Sequence, residues 1–264
     1  MSLELDTRQR AMLQEMGVNV WLPESGVAVL ERAAPARAAR TPVTSEAPVR
    51  TPAPASAPVT PVAMAIAASP DWATLQETVQ HCQACTLCAG RSHTTLVPPA
   101  DSSPCDWMVV GDPPDEDEDR AGAPFAGADG QLLANMLKAL GATSAYRTNV
   151  MKCRPAHGAI AQAAELNRCS AYLQREIALV QPKVILSLGR FANQVLLGET
   201  PELAALPLGK LRGTVHSYQG VAVVVSYPPK LLMRNGADKA KAWADLCLAS
   251  ATLAARSHAN HRQS

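Results

Sequence analysis

Near-continuous apolar runs recur along the second half of the chain, at WMVVG (107–111), YRTNV (146–150), VILSLG (184–189) and VAVVVS (221–226). Runs of this length without polar alternation read as strands buried on both faces. Helical stretches separate them: GQLLANMLKAL, AELNRCSAYLQREIALV and GRFANQVLLG. DWATLQETVQ precedes the first strand, and ADKAKAWADLCLASATLAA follows the last. Strands that alternate with helices predict an α/β fold, a three-layer α/β/α sandwich around a central parallel sheet. The pattern places this domain at residues 71–256 and leaves 257–264 as a frayed tail.

Two further segments precede the domain. Residues 1–32 carry apolar Met12, Leu13, Met16, Val18, Val20, Trp21 and Leu22. A helix through Met16 would stop at Gly17, a natural C-terminal cap. So short a segment cannot bury a core of its own, so it reads as a peptide that docks, on its own domain or on another protein. Residues 33–70 are Ala, Pro, Thr, Ser and Val with a proline every few positions. That composition predicts a disordered, extended linker.

The net charge of +1 draws no polyanion as a whole. Contact with DNA would need a local basic patch, for which Lys152, Arg154, Lys210, Arg212, Lys230 and Arg234 are the candidates. The N-terminus MSLELDTRQR has no apolar core of a secretory signal, and no run approaches the roughly 18 residues of a membrane span. The expectation is a cytoplasmic chain with no membrane partner. Seven cysteines in that compartment point to metal ligation or burial, not to disulfides. Cys82, Cys85 and Cys88 are spaced CxxCxxC, and Cys153 and Cys169 follow downstream. Two CxxC pairs overlap at Cys85, and four thiolates suit either zinc or a [4Fe–4S] cluster. Cys105 and Cys247 stand alone in apolar surroundings.

The segments VVGDPPDEDEDRAGAPFAGADGQLL, YRTNVMKCRP, PKVILSLGRFANQVLLG and LRGTVHSYQGVAVVVSYPPKLLMRN, with a cysteine between the second and third, resemble in order the motifs of iron–sulfur (family 4) uracil-DNA glycosylases. The resemblance spans roughly residues 80–250. It implies the uracil-DNA glycosylase-like α/β/α sandwich and a [4Fe–4S] cluster on Cys85, Cys88, Cys153 and Cys169, with Cys82 left without a role. It implies that a uracil is taken out of the stack, with Phe125 stacking on the base and Asn149 reading its edge. Glu118 and Asp119 match the acidic pair after the first loop, and Glu118 is the candidate to position water.

Two departures stand against that pattern. SYPPKLLMRN puts Pro228 where the family has a histidine that stabilises the departing uracil. GDPPD puts Asp115 where the family has glycine, which reads as bulk and negative charge beside the pocket. These departures imply a degenerate glycosylase. LQEMGVNVWLP resembles the start of the psi subunit of DNA polymerase III, which implies a replication accessory protein binding the chi subunit and clamp loader through Leu13, Met16, Val18 and Trp21. The alternative implied is an active uracil-DNA glycosylase of base excision repair. A module that only binds DNA at lesions is a third expectation.

Overall fold

The computed structural model describes residues 71–100, 104–142, 144–156, 159–198 and 200–261. The N-terminal peptide and the linker lie outside the described residues, as does every candidate partner-binding position from Leu13 to Trp21. In chain order the elements are α1 (Trp72–Gln80), a 3₁₀ turn (Thr86–Ala89), β1 (Trp107–Gly111), α2 (Glu116–Ala121), α3 (Ala128–Ala139), β2 (Tyr146–Asn149), α4 (Ala163–Val180), β3 (Val184–Leu188), α5 (Arg190–Leu196), α6 (Pro201–Ala204), α7 (Leu208–Leu211), β4 (Val215–Tyr218), β5 (Val221–Ser226), α8 (Pro229–Arg234), a second 3₁₀ turn (Gly236–Asp238) and α9 (Lys239–His261).

The strands form one sheet in the order β2-β1-β3-β5-β4. All pairs are parallel except the edge pair β4–β5, which is antiparallel. Successive side chains on each strand face opposite ways, as the pleat requires. Met108, Val110, Ile185, Val223 and Val225 pack on one face against α1 and α4. Trp107, Val109, Leu186, Leu188 and Val224 pack on the other, with residues of α3 and α9 such as Leu133, Met136, Trp243 and Leu246. The three-layer α/β/α sandwich expected from the apolar runs is the fold observed. No helix among the described residues is long and apolar enough to cross a membrane.

Three parts of the fold depart from the sequence expectation. β4 lies on an edge and has only Tyr218 buried, so it carries no apolar run to reveal it. The acidic run Glu116–Asp119, which has no apolar period to announce a helix, is the start of α2. The last helix continues to His261 rather than fraying after Arg256. Arg256 there donates to the Gly220 carbonyl at 2.9 Å, which docks the helix end on the β4–β5 turn.

The four parallel strands end level. Asn149, Gly111, Leu188 and Ser226 stand side by side in register across their C-terminal edge. The loops that follow this row carry the candidate chemistry, as in open parallel sheets generally. One of these loops depends on Gly189, whose φ is +129° and whose added Cβ would lie 2.3 Å from the Asp112 carboxyl. Gly189→Ala should therefore destabilise the domain by about 1–3 kcal/mol in urea titration. A loss indistinguishable from zero would show that the loop relaxes freely.

Candidate functional site

Glu118 organises one corner of this edge. It is 6 % exposed. Its Oε1 accepts from the Phe125 N–H at 2.6 Å and from Asn149 Nδ2 at 3.0 Å, while Oε2 accepts from the Asp115 N–H at 2.9 Å. Burial raises the Glu118 pKa above its ordinary value against the pull of the Asn149 amide and the backbone N–H groups. Through these three donors Glu118 holds the first loop, the Phe125 turn and the Asn149 amide in place.

Asn149 and Phe125, the two predicted base-reading residues, come together here. The Asn149 amide also donates to the Asp112 carbonyl at 3.0 Å, so its donor side is fully engaged. Its acceptor, Oδ1, is buried and has no hydrogen-bond partner. Phe125 takes φ +55°. Its ring packs on the backbone of Gly111, where an added Cβ would sit 2.7 Å from Cζ, and its carbonyl fills the Cβ position of Gly130 at 1.6 Å. These two glycines let the backbone close around the ring. Beside this corner opens a cleft of about 430 Å³, lined by Asp112, Pro114, Asp115, Arg154, Arg190 and Phe191 among others.

The acidic residues of the first loop have structural partners. Asp112 accepts from the N–H groups of Arg190, Phe191 and Ala192, capping α5. Asp119 accepts from the N–H groups of Ser92 and His93. Asp115 caps α2 in a capping box with Glu118 and pairs with Lys230 of α8. Asp115 does line the cleft, and its charge there is partnered: the carboxylate accepts from the N–H groups at the helix start and meets the Lys230 ammonium. Pro228 stands at the end of β5 as N-cap of α8 with φ −65° and ψ 143°. It offers no polar side-chain atom. His81, His93 and His216 lie elsewhere, each with a ring nitrogen within 3.1 Å of a backbone carbonyl, those of Glu77, Asp119 and Leu211.

The basic candidates divide. Lys152 is 1 % exposed and paired with the fully buried Glu176 at 2.7 Å, so it cannot meet a phosphate. Arg212 is bound to Asp245 at 2.7 Å and stacks on Tyr227. Lys210, Lys230 and Arg234 remain exposed, and Arg154 is half-buried.

On the opposite side of Lys152 lies an enclosed cavity lined by Cys82, Cys85, Cys88, Cys153 and Cys169, together with Tyr172. All four predicted ligands are brought together. Cys82, left without a role by sequence, lines the same cavity and packs with Cys85 against the adjoining core. The spacing CxxCxxC could have shown this, since Cys82 and Cys88 are equally distant from Cys85. Burial pushes the Cys169 thiol up to about 12 and raises Cys85 and Cys153 as well. Arg91 donates to Cys153 Sγ at 3.2 Å. The Tyr172 hydroxyl is buried with no hydrogen-bond partner. Among the described residues no three Cys, His, Asp or Glu side chains close on one point as the ligands of a single ion do. Thiols alone are a donor set that both zinc and iron–sulfur clusters take.

Burial opposes ionisation of Asp115, but Lys230 and the N–H groups of Glu118 and Asp117 outweigh it and hold the carboxyl below its ordinary range. A depressed folded-state value gives stability that is present above the unfolded pKa of about 4 and is lost as the pH falls through the folded value. Asp115→Ala is expected to cost about 1 kcal/mol at neutral pH, as a lost N-cap does. Urea titrations at decreasing pH should show the gap to wild type closing below about pH 4. A gap that persists there would mean the cap works without its charge.

A family profile described as the uracil DNA glycosylase superfamily matches residues 99–247. Among curated relatives, the type-4 uracil-DNA glycosylase of Archaeoglobus fulgidus is 32% identical over 167 residues, covering 61% of this chain and 83% of that protein. That of Sulfurisphaera tokodaii is 34% identical over 168 residues, covering 61% of this chain and 75% of that protein. That of Pyrobaculum aerophilum is 32% identical over 186 residues, covering 67% of this chain and 92% of that protein. The profile covers more than half of the chain and the relatives are about a third identical to it: the chain belongs to the uracil DNA glycosylase superfamily.

Proposed function

We propose that the chain is an iron–sulfur uracil-DNA glycosylase that reads the base through Asn149 and Phe125 and cleaves without the histidine of the family's last motif. The orphaned Asn149 Oδ1 carries this reading. A buried acceptor left unmatched costs about 1–3 kcal/mol, and a base that presents an N–H recovers it. Uracil does so at N3, where cytosine has a lone pair, so the open acceptor selects between them. The base must leave the stack to reach this corner and lie on Phe125. Exposed Leu231 and Met233 on α8, flanked by Lys230 and Arg234, form an apolar wedge with cations suited to opened DNA. DNA is thus the proposed partner.

Hydrolysis transfers the oxygen of water to C1′ of the deoxyribose. The C1′–N1 bond breaks, the bonding pair leaves on uracil, and the proton released by water ends on the base. Pro228 has nothing to place against the charge that develops on uracil. An electrostatic contact of that kind is worth about 3 kcal/mol, or roughly 10²–10³ in rate. The all-thiol lining of the cysteine cavity suits a [4Fe–4S] cluster as it suits zinc, and the resemblance to iron–sulfur glycosylases favours the cluster. When bound, such a cluster ties the Cys85 turn to the Cys153 loop and to α4, and its binding free energy serves folding.

Uracil release from single-stranded and duplex DNA tests the reading. Wild type should release uracil slowly, Asn149→Ala should lose about 10²-fold or more, and Pro228→His should gain about 10²-fold. Silence from both wild type and Pro228→His would overturn it.

Pro228 also favours a second reading: a fold that has given up its reaction and serves as a psi-like accessory subunit, bound to the chi subunit of the clamp loader through Leu13, Met16, Val18 and Trp21. It predicts silent wild type, activity gained by Pro228→His, and capture of chi by the full-length chain that is lost in Trp21→Ala. Capture that is indifferent to Trp21→Ala would remove it.

A further inference from the structure

The cysteine cavity holds one thiol more than a four-iron cluster binds. Cys153 and Cys169 are 4 % and 5 % exposed, each fixed by a different loop or helix. The other side of the cavity is a single short stretch that pivots at Cys85. Cys82 follows α1, its N–H on the Val79 carbonyl at 3.2 Å. Cys85 is the N-cap of the 3₁₀ turn, and the Cys88 N–H reaches back to the Cys85 carbonyl at 3.5 Å. Cys82 and Cys88 each stand three positions from Cys85, at the CxxC reach that lets two thiolates share one centre. Both line the cavity and both are only half-buried. Arg91, whose guanidinium sits on Cys153 Sγ, has Cys82 and Cys88 as its other thiol neighbours. The buried Tyr172 hydroxyl, in the wall of the same cavity, has Cys82 as its thiol neighbour.

We propose that Cys82 and Cys88 are interchangeable ligands: Cys85, Cys153 and Cys169 are fixed, and either of the two completes the set. The inference rests on the cluster reading above and goes beyond it by assigning the fifth thiol. Loss of either thiol as a ligand would then leave the other in reach, and the cluster would stay bound.

The test is iron and acid-labile sulfide per chain, with visible charge-transfer absorption, on full-length protein purified without oxygen. Cys82→Ala and Cys88→Ala should each match wild type. The double variant, and Cys153→Ala alone, should fall about tenfold or more in iron, with circular dichroism recording how much of the fold remains. Wild type without iron and sulfide would overturn the cluster reading and the exchange with it. Wild type loaded but one single variant as empty as the double, or a double variant that stays loaded, would overturn the exchange alone.

Discussion

Three N–H groups from three different segments converge on one buried carboxylate. Glu118 holds the start of α2 through Asp115, the Phe125 turn through its backbone, and the end of β2 through the Asn149 amide. Each of these donors would be stranded in a buried place without it, at about 1–3 kcal/mol apiece. Phe125 shows what this secures. A non-glycine residue at φ +55° is strained by about 1–3 kcal/mol and persists only where its surroundings over-determine it. Here the N–H is bound by Glu118, the ring lies on Gly111, and the carbonyl presses on Gly130. Phe125 and Asn149 are both held by this one carboxylate.

A second buried charge joins this corner to the cysteine cavity. The Lys152 ammonium donates to the Asn149 carbonyl, to Thr148 Oγ1 and to Glu176 at 2.6–2.7 Å, and its side chain also lines the cavity. Glu176 is held in turn by Tyr146 and Thr148 of β2. Removing one member of such a pair leaves an uncompensated buried charge and costs about 3–5 kcal/mol. Asn149 and the Lys152 whose ammonium borders the thiols are only three positions apart in the chain. The wall of the cavity is thus part of the framework that fixes Asn149.

The central strands were legible because each is buried on both faces, and a continuous apolar run is the only pattern that permits. β4 was not, since an edge strand with one buried residue looks like a loop. α2 was hidden for another reason. Its six residues are nearly all charged, and what makes it a helix is the Asp115–Glu118 capping box, which a reading for apolar period passes over. Asn149 and Phe125 were named from resemblance, and the structure brings them together. No sequence pattern announced that both oxygens of Glu118 are spent on protein donors, or that Lys152 is a core residue, because side-chain partners far apart in the chain leave no local trace.

The two departures from the family pattern are not alike. Asp115 compensates itself: it caps a helix and meets Lys230, so it places no unpaired charge on the site. Pro228 has no such account. Its backbone, φ −65° and ψ 143°, is extended and open to any residue, and the following Pro229 already supplies the proline suited to a first helical position. The N-cap itself makes no side-chain hydrogen bond, so nothing in α8 requires proline at 228. A histidine would fit the same backbone. The fold therefore does not explain the proline. Asp115 is tied into the helix cap and the ion pair around it, whereas Pro228 stands at the end of β5 with no structural reason to be there.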